Sequence, residues 1–101
     1  MSVAEVSTRA EIDQHAASTL TVVDFASAST DIAGKFKRLS ETNPQAVFLK
    51  VDMDTENGLG IANEFGVKTT PTFVLFKNGS EVARVEGADE GQLKNQIKSN
   101  S

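Results

Sequence analysis

An aspartate inside an otherwise apolar run is the residue whose type and position most suggest chemistry. Asp24 lies in the segment LTVVDF, from Leu20 to Phe25. An unbroken apolar run is typical of a central β-strand that is covered on both faces. Burial there would disfavour the charged form of the carboxylate, as it does at many acid–base sites. The alternative is that Asp24 lies at the end of the strand and reaches water, and the sequence leaves both open.

The single histidine, His15, is a second candidate for acid–base chemistry. Thr8 and Glu11 form a capping-box pattern, which predicts a short helix from Thr8 to about Ala17. Ile12 would lie on the helix face that packs against the protein core. His15 would lie on the exposed face of the helix, with no nucleophile beside it. His15 is therefore predicted to be a surface residue.

An acidic run, D-x-D-x-E at residues 52–56, resembles the start of a calcium-binding loop. Such a loop needs a glycine at its sixth position and a glutamate at its twelfth, where this chain has Asn63. The pattern therefore predicts no metal site. We interpret it as the end of a strand from Gln45 to Met53, followed by Thr55 as a helix cap.

The absence of cysteine excludes more chemistry than any residue present suggests. The chain has no cysteine and no tryptophan or tyrosine. Disulfides, thiolate nucleophiles and thiolate metal ligands are therefore excluded. No motif indicates a cofactor.

Length and composition are those of one small soluble domain, residues 1–101. Hydrophobic residues make up 39% of the chain and charged residues 24%, an ordinary globular composition. The net charge of −4 argues against a nucleic-acid partner, which would select a basic patch. No apolar run approaches the ~20 residues of a membrane span. The first residues show no basic region followed by an apolar core, so we expect no signal peptide and a cytoplasmic location.

A proline loop followed by a hairpin is the best-defined structural pattern in the chain. The run Thr72–Phe76 is β-branched and aromatic, which favours a buried strand. Pro71 cannot donate a ladder hydrogen bond and belongs at the start of that strand. Asn78-Gly79 is typical of a type I′ turn, and the alternating segment Glu81–Val85 is predicted to be the returning strand.

Helices and strands alternate before the hairpin, and one helix follows it. The second helix should show one apolar face at Ile32, Phe36 and Leu39, and its basic residues should form a solvated face rather than a phosphate site. The second helix is predicted at Asp31–Thr42, with Ser29, Thr30 or Asp31 as its cap. The remaining predicted elements are an edge strand at Val3–Val6, a third helix at Asn57–Phe65 that ends at Gly66, and a last helix from Asp89 to about Ser99.

Four segments together resemble thioredoxin: VVDF at 22–25, FLKVDMD at 48–54, EFGVKTTPTFVLFKNG at 64–79 and EGA at 86–88. The resemblance extends over nearly the whole chain. It implies an α/β, thioredoxin-like fold, with a mixed central β-sheet flanked by α-helices in the order βαβαβαββα. It also implies that the peptide bond before Pro71 is cis.

One segment departs from that family. Thioredoxins carry a W-C-G-P-C segment after the strand that matches VVDF, whereas here Phe25 is followed by the shorter connection Ala26–Asp31. Dithiol exchange needs a thiolate that attacks a disulfide sulfur, and no serine or threonine can replace it. The resemblance therefore implies a redox-inactive member without disulfide reductase activity.

Other features of the family are retained. Asp24 and Lys50 match a buried acid–base pair that serves the cysteines, so here the pair is vestigial. Thr70, Pro71, Gly87 and Ala88 match the loops that line a groove for extended peptide, a form of strand addition. The alternative is that these loops are only what the fold requires.

These features favour a protein-interaction or scaffold module that uses the proline groove to bind a protein or extended peptide. The alternative is an active-site-deleted thioredoxin, natural or engineered, with no activity of its own. Such a chain could self-associate as a domain-swapped dimer. A glutathione transferase-like site at Ser27, Ser29 and Thr30 is disfavoured, since the helical second domain is missing. The chain also resembles the degenerate domains that precede glutaredoxin modules.

Overall fold

A computed structural model describes residues 3–16, 20–27 and 33–100. Helices and strands alternate through these residues in the predicted order. They are β1 (Ala4–Glu5), α1 (Arg9–Ala16), β2 (Thr21–Ala26), α2 (Ala33–Thr42), β3 (Val47–Asp52), α3 (Glu56–Glu64), β4 (Thr72–Lys77), β5 (Ser80–Glu86) and α4 (Glu90–Asn100).

The strands form one mixed sheet with the order β1-β3-β2-β4-β5. β3 pairs in parallel with β1 and β2, whereas β4 pairs antiparallel with β2 and β5. Every residue of β2 is buried, as the apolar run from Leu20 to Phe25 predicted for a central strand. The predicted α/β fold class with a mixed central sheet is confirmed.

Helices cover both faces of the sheet, so the core has two layers. On one face, α1 and α3 pack against strand residues that include Val23 and Phe25. On the other face, α2 and α4 pack against Val22, Phe48 and Phe73. The predicted inward residues Ile12, Phe36 and Leu39 are buried, and so are Ala16, Leu93 and Ile97 of the same helical layers. Leu59 of α3 is instead 47% exposed.

Local hydrogen bonds begin the helices where the sequence predicts. Thr8 N–H donates to Glu11 Oε1 at 3.1 Å, and Glu11 N–H donates to Thr8 Oγ1 at 3.4 Å, which is a reciprocal capping box. Thr55 Oγ1 accepts from the Gly58 N–H at 3.0 Å at the start of α3. These contacts satisfy N–H groups that the first helical turn leaves without partners.

The hairpin between β4 and β5 contains a bulge that the sequence did not predict. Asn78 and Gly79 have φ of 55° and 80°, as a type I′ turn requires. Leu75 pairs with Ala83, but Phe76 pairs with Glu81, so Val82 is the additional residue of a β-bulge. The simple alternation predicted for β5 is therefore wrong at Val82, which is 42% exposed.

Some predictions lie outside the described residues. They are the end of the first helix at Ala17, the capping of the second helix at Ser29, Thr30 or Asp31, and the inward position of Ile32. Within the described ranges, no helix has the length and apolar character to cross a membrane.

Candidate binding site at the proline loop

The loop that joins α3 to β4 forms the first wall of the candidate site. Gly66 ends α3 with φ of 69°, and the Thr70–Pro71 peptide bond is cis. Pro71 is buried, whereas Thr70 remains partly exposed. The hydroxyl of buried Thr72 donates to the Thr69 carbonyl at 2.7 Å. This short bond fixes the chain on both sides of Pro71, so Thr70 is presented from a rigid turn.

The loop that follows β5 forms the second wall. The Gly87 N–H donates to the Pro71 carbonyl at 2.8 Å. Gly87 has φ of 95°, a backbone conformation that glycine adopts without a steric penalty. Ala88 then lies exposed beside it. The structure thus brings together the four residues that the sequence assigned to a groove, whereas binding of a peptide there stays a prediction.

Ser27, the residue directly after β2, forms a third wall. Register explains its position, because Phe25 near the end of β2 pairs with Thr72 at the start of β4. Ser27 Oγ lies 3.5 Å from Thr70 Oγ1. The sequence suggested Ser27 only for a glutathione transferase-like site together with Ser29 and Thr30, which lie outside the described residues. Its proximity to Thr70 was missed, although the strand order implied by the resemblance could have indicated it.

The backbone of Thr70 has no backbone partner among the described residues. Its N–H and C=O make no backbone hydrogen bond to another described residue. Thr70 also belongs to no strand, since β4 begins at Thr72. An N–H and a C=O without backbone partners can pair with an extended segment of another chain. Pairing of this kind would need no thiol.

Asp24 and Lys50 are neighbours in the sheet. They are in register on adjacent parallel strands, so their side chains project from the same face of the sheet. Asp24 is fully buried, and the alternative that it reaches water is wrong. Lys50 is half-buried. Their assignment as a vestigial acid–base pair stays a prediction.

A second carboxylate lies beside Lys50, and the sequence did not reveal it. Glu5 of β1 pairs with Lys50 from the side opposite to Asp24. Lys50 is therefore flanked across the sheet by an exposed carboxylate and a buried one. These three side chains lie on the α2–α4 face of the sheet, since Phe48 of the same strand as Lys50 contributes to that core layer.

Arg84 connects β5 to the chain that leads into the proline loop. Its Nη2 donates to the Phe65 carbonyl at 2.7 Å, just before Gly66. Its Nε and Nη2 also donate to the two carboxylate oxygens of Glu81, at 3.0 and 2.9 Å. The hydrogen bonds to Glu81 raise the pKa of Arg84 above its ordinary value. This fork holds the start of the loop against the edge strand.

The other candidate residues take structural roles. His15 is exposed on α1, as predicted. In the acidic run, the Asp54 N–H donates to Asp52 Oδ1 at 2.9 Å, and Thr55 caps α3. The residues that the structure describes contain no group of three or more His, Cys, Asp or Glu arranged to hold a metal ion.

The chain has no cysteine. Thiol–disulfide exchange requires a thiolate and passes through a mixed disulfide. The groups for that reaction are therefore missing from this chain, including the position where the proline loop, the β5 loop and Ser27 lie together.

Comparison with known proteins agrees with this architecture. Thioredoxin-1 of Schizosaccharomyces pombe is 40% identical over 85 residues, which are 80% of this chain and 81% of that protein. Thioredoxin-1 of Saccharomyces cerevisiae is 41% identical over 86 residues, 81% of this chain and 82% of that protein. The crystal structure of Malassezia sympodialis thioredoxin superposes with a TM-score of 0.86 at 31% identity, covering 98% of this chain and 90% of that chain.

The X-ray structure of Fasciola hepatica thioredoxin has a TM-score of 0.86 at 32% identity and covers both chains completely. The thioredoxin family model matches residues 3–99. This match includes the sheet, the proline loop and the hairpin, and the cysteine-free connection after β2 is the place where the thiol chemistry is lost. The chain therefore belongs to the thioredoxin family.

Proposed function

We propose that this protein is a redox-inactive, thioredoxin-like interaction module that binds an extended segment of another protein against Thr70. The observation that carries the proposal is the presentation of Thr70 between two fixed loops. The Gly87 N–H holds Pro71 at 2.8 Å, and Thr72 holds Thr69 at 2.7 Å. Because the loops are fixed before binding, little conformational entropy is lost when a peptide docks.

The proposed mode of recognition is strand addition. The peptide would pair its backbone with the N–H and C=O of Thr70, while its side chains contact exposed Ala88 and the Ser27 hydroxyl. Main-chain pairing gives affinity in this mode, and the flanking side chains give specificity. A binding module of this kind needs no cysteine, cofactor or metal ion.

Selection from a displayed library of unstructured peptides tests the proposal. Peptides selected on the wild-type protein should lose binding to Thr70→Arg and Ala88→Arg, because each arginine would occupy the groove. The matched control is Thr42→Arg, which places the same side chain at an exposed position of α2. Each variant must retain the wild-type circular dichroism spectrum.

Backbone amide NMR shifts then locate the bound peptide. Shifts that cluster at Thr70, Gly87 and Ala88 are the expected result. Binding that survives in both groove variants would place the interface elsewhere and refute the proposal.

A second candidate is an active-site-deleted thioredoxin without a function of its own. It is favoured by the in-register Asp24 and Lys50, a pair that serves cysteines in redox-active members and has no such role here. Grafting a W-C-G-P-C segment after Phe25 should then restore disulfide reduction. A folded graft that reduces no disulfide would count against this candidate. A domain-swapped dimer would appear as twice the monomer mass in light scattering.

A further inference from the structure

The two helical layers carry opposite charge. The acidic helical layer, α1 and α3, packs on one face of the sheet, and the basic helical layer, α2 and α4, packs on the other. The acidic helical layer holds four acidic residues and one basic residue, a net charge of −3. The basic helical layer holds five basic residues and two acidic residues, a net charge of +3.

The side chains that create this difference are largely exposed. The acidic helical layer contains Arg9, Glu11, Asp13, Glu56 and Glu64; the basic helical layer contains Lys35, Lys37, Arg38, Glu41, Glu90, Lys94 and Lys98. All are exposed except Glu11 and Glu90, which are half-buried. Arg9 is already paired with Glu64 at 3.2 Å and with Asp13 at 3.7 Å. The one cation of the acidic helical layer is thus compensated within that layer.

We infer that the basic helical layer is a docking surface for the acidic helical layer of a second copy of this chain. Both complementary surfaces are present on one molecule, and their net charges are equal and opposite. Contact between two different faces is heterologous, so it produces a head-to-tail assembly rather than a two-fold dimer. The inference is independent of the proposed function, because Thr70 and Ala88 lie in neither layer.

Screening determines whether the layers act separately. The smallest principal extent of the molecule is 22 Å, whereas the screening length is ~10 Å at about 0.1 M salt. An approaching chain therefore responds to the nearer layer more than to the overall net charge of −4. At about 1 M salt the screening length falls to ~3 Å, and the attraction between layers should disappear.

Light scattering against protein concentration tests the inference. We expect the mean molar mass of the wild-type chain to exceed the monomer mass at about 0.1 M salt and to return to it at about 1 M. The variant Lys35→Glu/Lys37→Glu/Arg38→Glu should be monomeric at both salt concentrations. Lys37→Glu alone should weaken association, whereas the control Lys68→Glu, an equal charge change at an exposed loop position, should not.

A charge-swap mixture gives the decisive result. The variant Asp13→Lys/Glu56→Lys should also be monomeric alone, because both of its layers are then basic. Mixed with the Lys35→Glu/Lys37→Glu/Arg38→Glu variant, whose two layers are both acidic, it should associate again, because a basic layer of one variant then meets an acidic layer of the other. A mixture that stays monomeric overturns the inference, as does a wild-type chain that is monomeric at both salt concentrations. A monomeric wild type that binds poly-glutamate through these lysines would also overturn it and assign the basic helical layer to an acidic partner.

Discussion

Ser27 and Thr70 approach each other through their hydroxyl groups, with Ser27 Oγ 3.5 Å from Thr70 Oγ1, although 43 positions separate them in the chain. The pairing of Phe25 with Thr72 brings the end of β2 beside the start of β4 and so creates this contact. In a redox-active thioredoxin the thiol segment follows the same strand. Here Ser27 presents a hydroxyl to Thr70 of the proline loop, which suits hydrogen bonding and not thiol–disulfide exchange.

The Ser27–Thr70 contact should contribute little to stability. A separation of 3.5 Å is at the outer limit for a hydrogen bond, so Thr70→Val should change the free energy of unfolding by less than ~0.5 kcal/mol. Thr72→Val should lower it by ~1 kcal/mol, because buried Thr72 donates to the Thr69 carbonyl at 2.7 Å. Urea unfolding followed by circular dichroism measures both. Equal losses in the two variants would contradict this assignment.

Introduced cysteines can test the same proximity in solution. The double variant Ser27→Cys/Thr70→Cys should form an intramolecular disulfide on mild oxidation, because the two hydroxyl oxygens are 3.5 Å apart. The bridge would stabilise the fold by ~2–4 kcal/mol relative to its reduced form. Thiol titration measures its formation, and no other cysteine interferes. The matched control is Ser27→Cys/Thr42→Cys, and two free thiols in both variants would refute the contact.

The sequence predicted features that depend on a few neighbouring residues. Thr8 and Glu11 encode a cap within one helical turn, and Asn78-Gly79 encodes a turn through the left-handed conformation of two adjacent residues. The resemblance to thioredoxin added the order of the elements and the groove residues. These predictions succeed because the controlling interactions are local or are shared by the family.

Contacts that depend on the register between strands could not be predicted from local sequence patterns. Glu5 lies beside Lys50 because β1 and β3 pair in one particular register, and a shift by one residue would turn Glu5 to the other face. Val82 is exposed because of a bulge that no local pattern encodes. Both depend on where distant strands come to lie, which a single sequence does not determine.

Stability below neutral pH should depend on Glu11. Its carboxylate accepts the N–H groups of Ser7 and Thr8 at 3.0 and 3.1 Å. The bond from the Ser7 backbone, and then that from the Thr8 side chain, lower the pKa of Glu11 below its ordinary value of 4.5. Because the folded state binds this proton less readily, the stabilisation is present above the unfolded pKa. It is lost as the pH falls through the folded pKa.

The variant Glu11→Gln tests this pH dependence. The amide keeps an oxygen for the cap but cannot titrate, so the fall in stability on acidification below about 4.5 should be shallower than in the wild type. The measurement is urea unfolding across the acidic range. The control is Glu41→Gln, at the last turn of α2 and so away from any helix N-terminus. An unchanged pH profile for Glu11→Gln would show that the cap carries no charge-dependent stability.

The two glycines of α3 should respond in opposite ways to alanine. Gly58 and Gly60 both lie inside α3, where glycine weakens a helix relative to alanine. At Gly60 a Cβ atom would meet nothing within 4 Å, so Gly60→Ala should stabilise the fold by up to ~1 kcal/mol. At Gly58 the same atom would lie 1.8 Å from the Asp52 carbonyl oxygen, which is backbone and cannot rotate away.

Gly58→Ala must therefore move α3 away from the end of β3 and weaken the Thr55 cap, whose hydroxyl the new Cβ would approach to 2.9 Å. We expect a loss of ~1–3 kcal/mol, as for other overpacked sites. Urea midpoints of the two variants give the comparison directly. Since both substitutions remove the same backbone entropy from the unfolded chain, their difference isolates the close approach of α3 to β3. Equal stabilisation by both would mean that α3 is not held against β3 in solution.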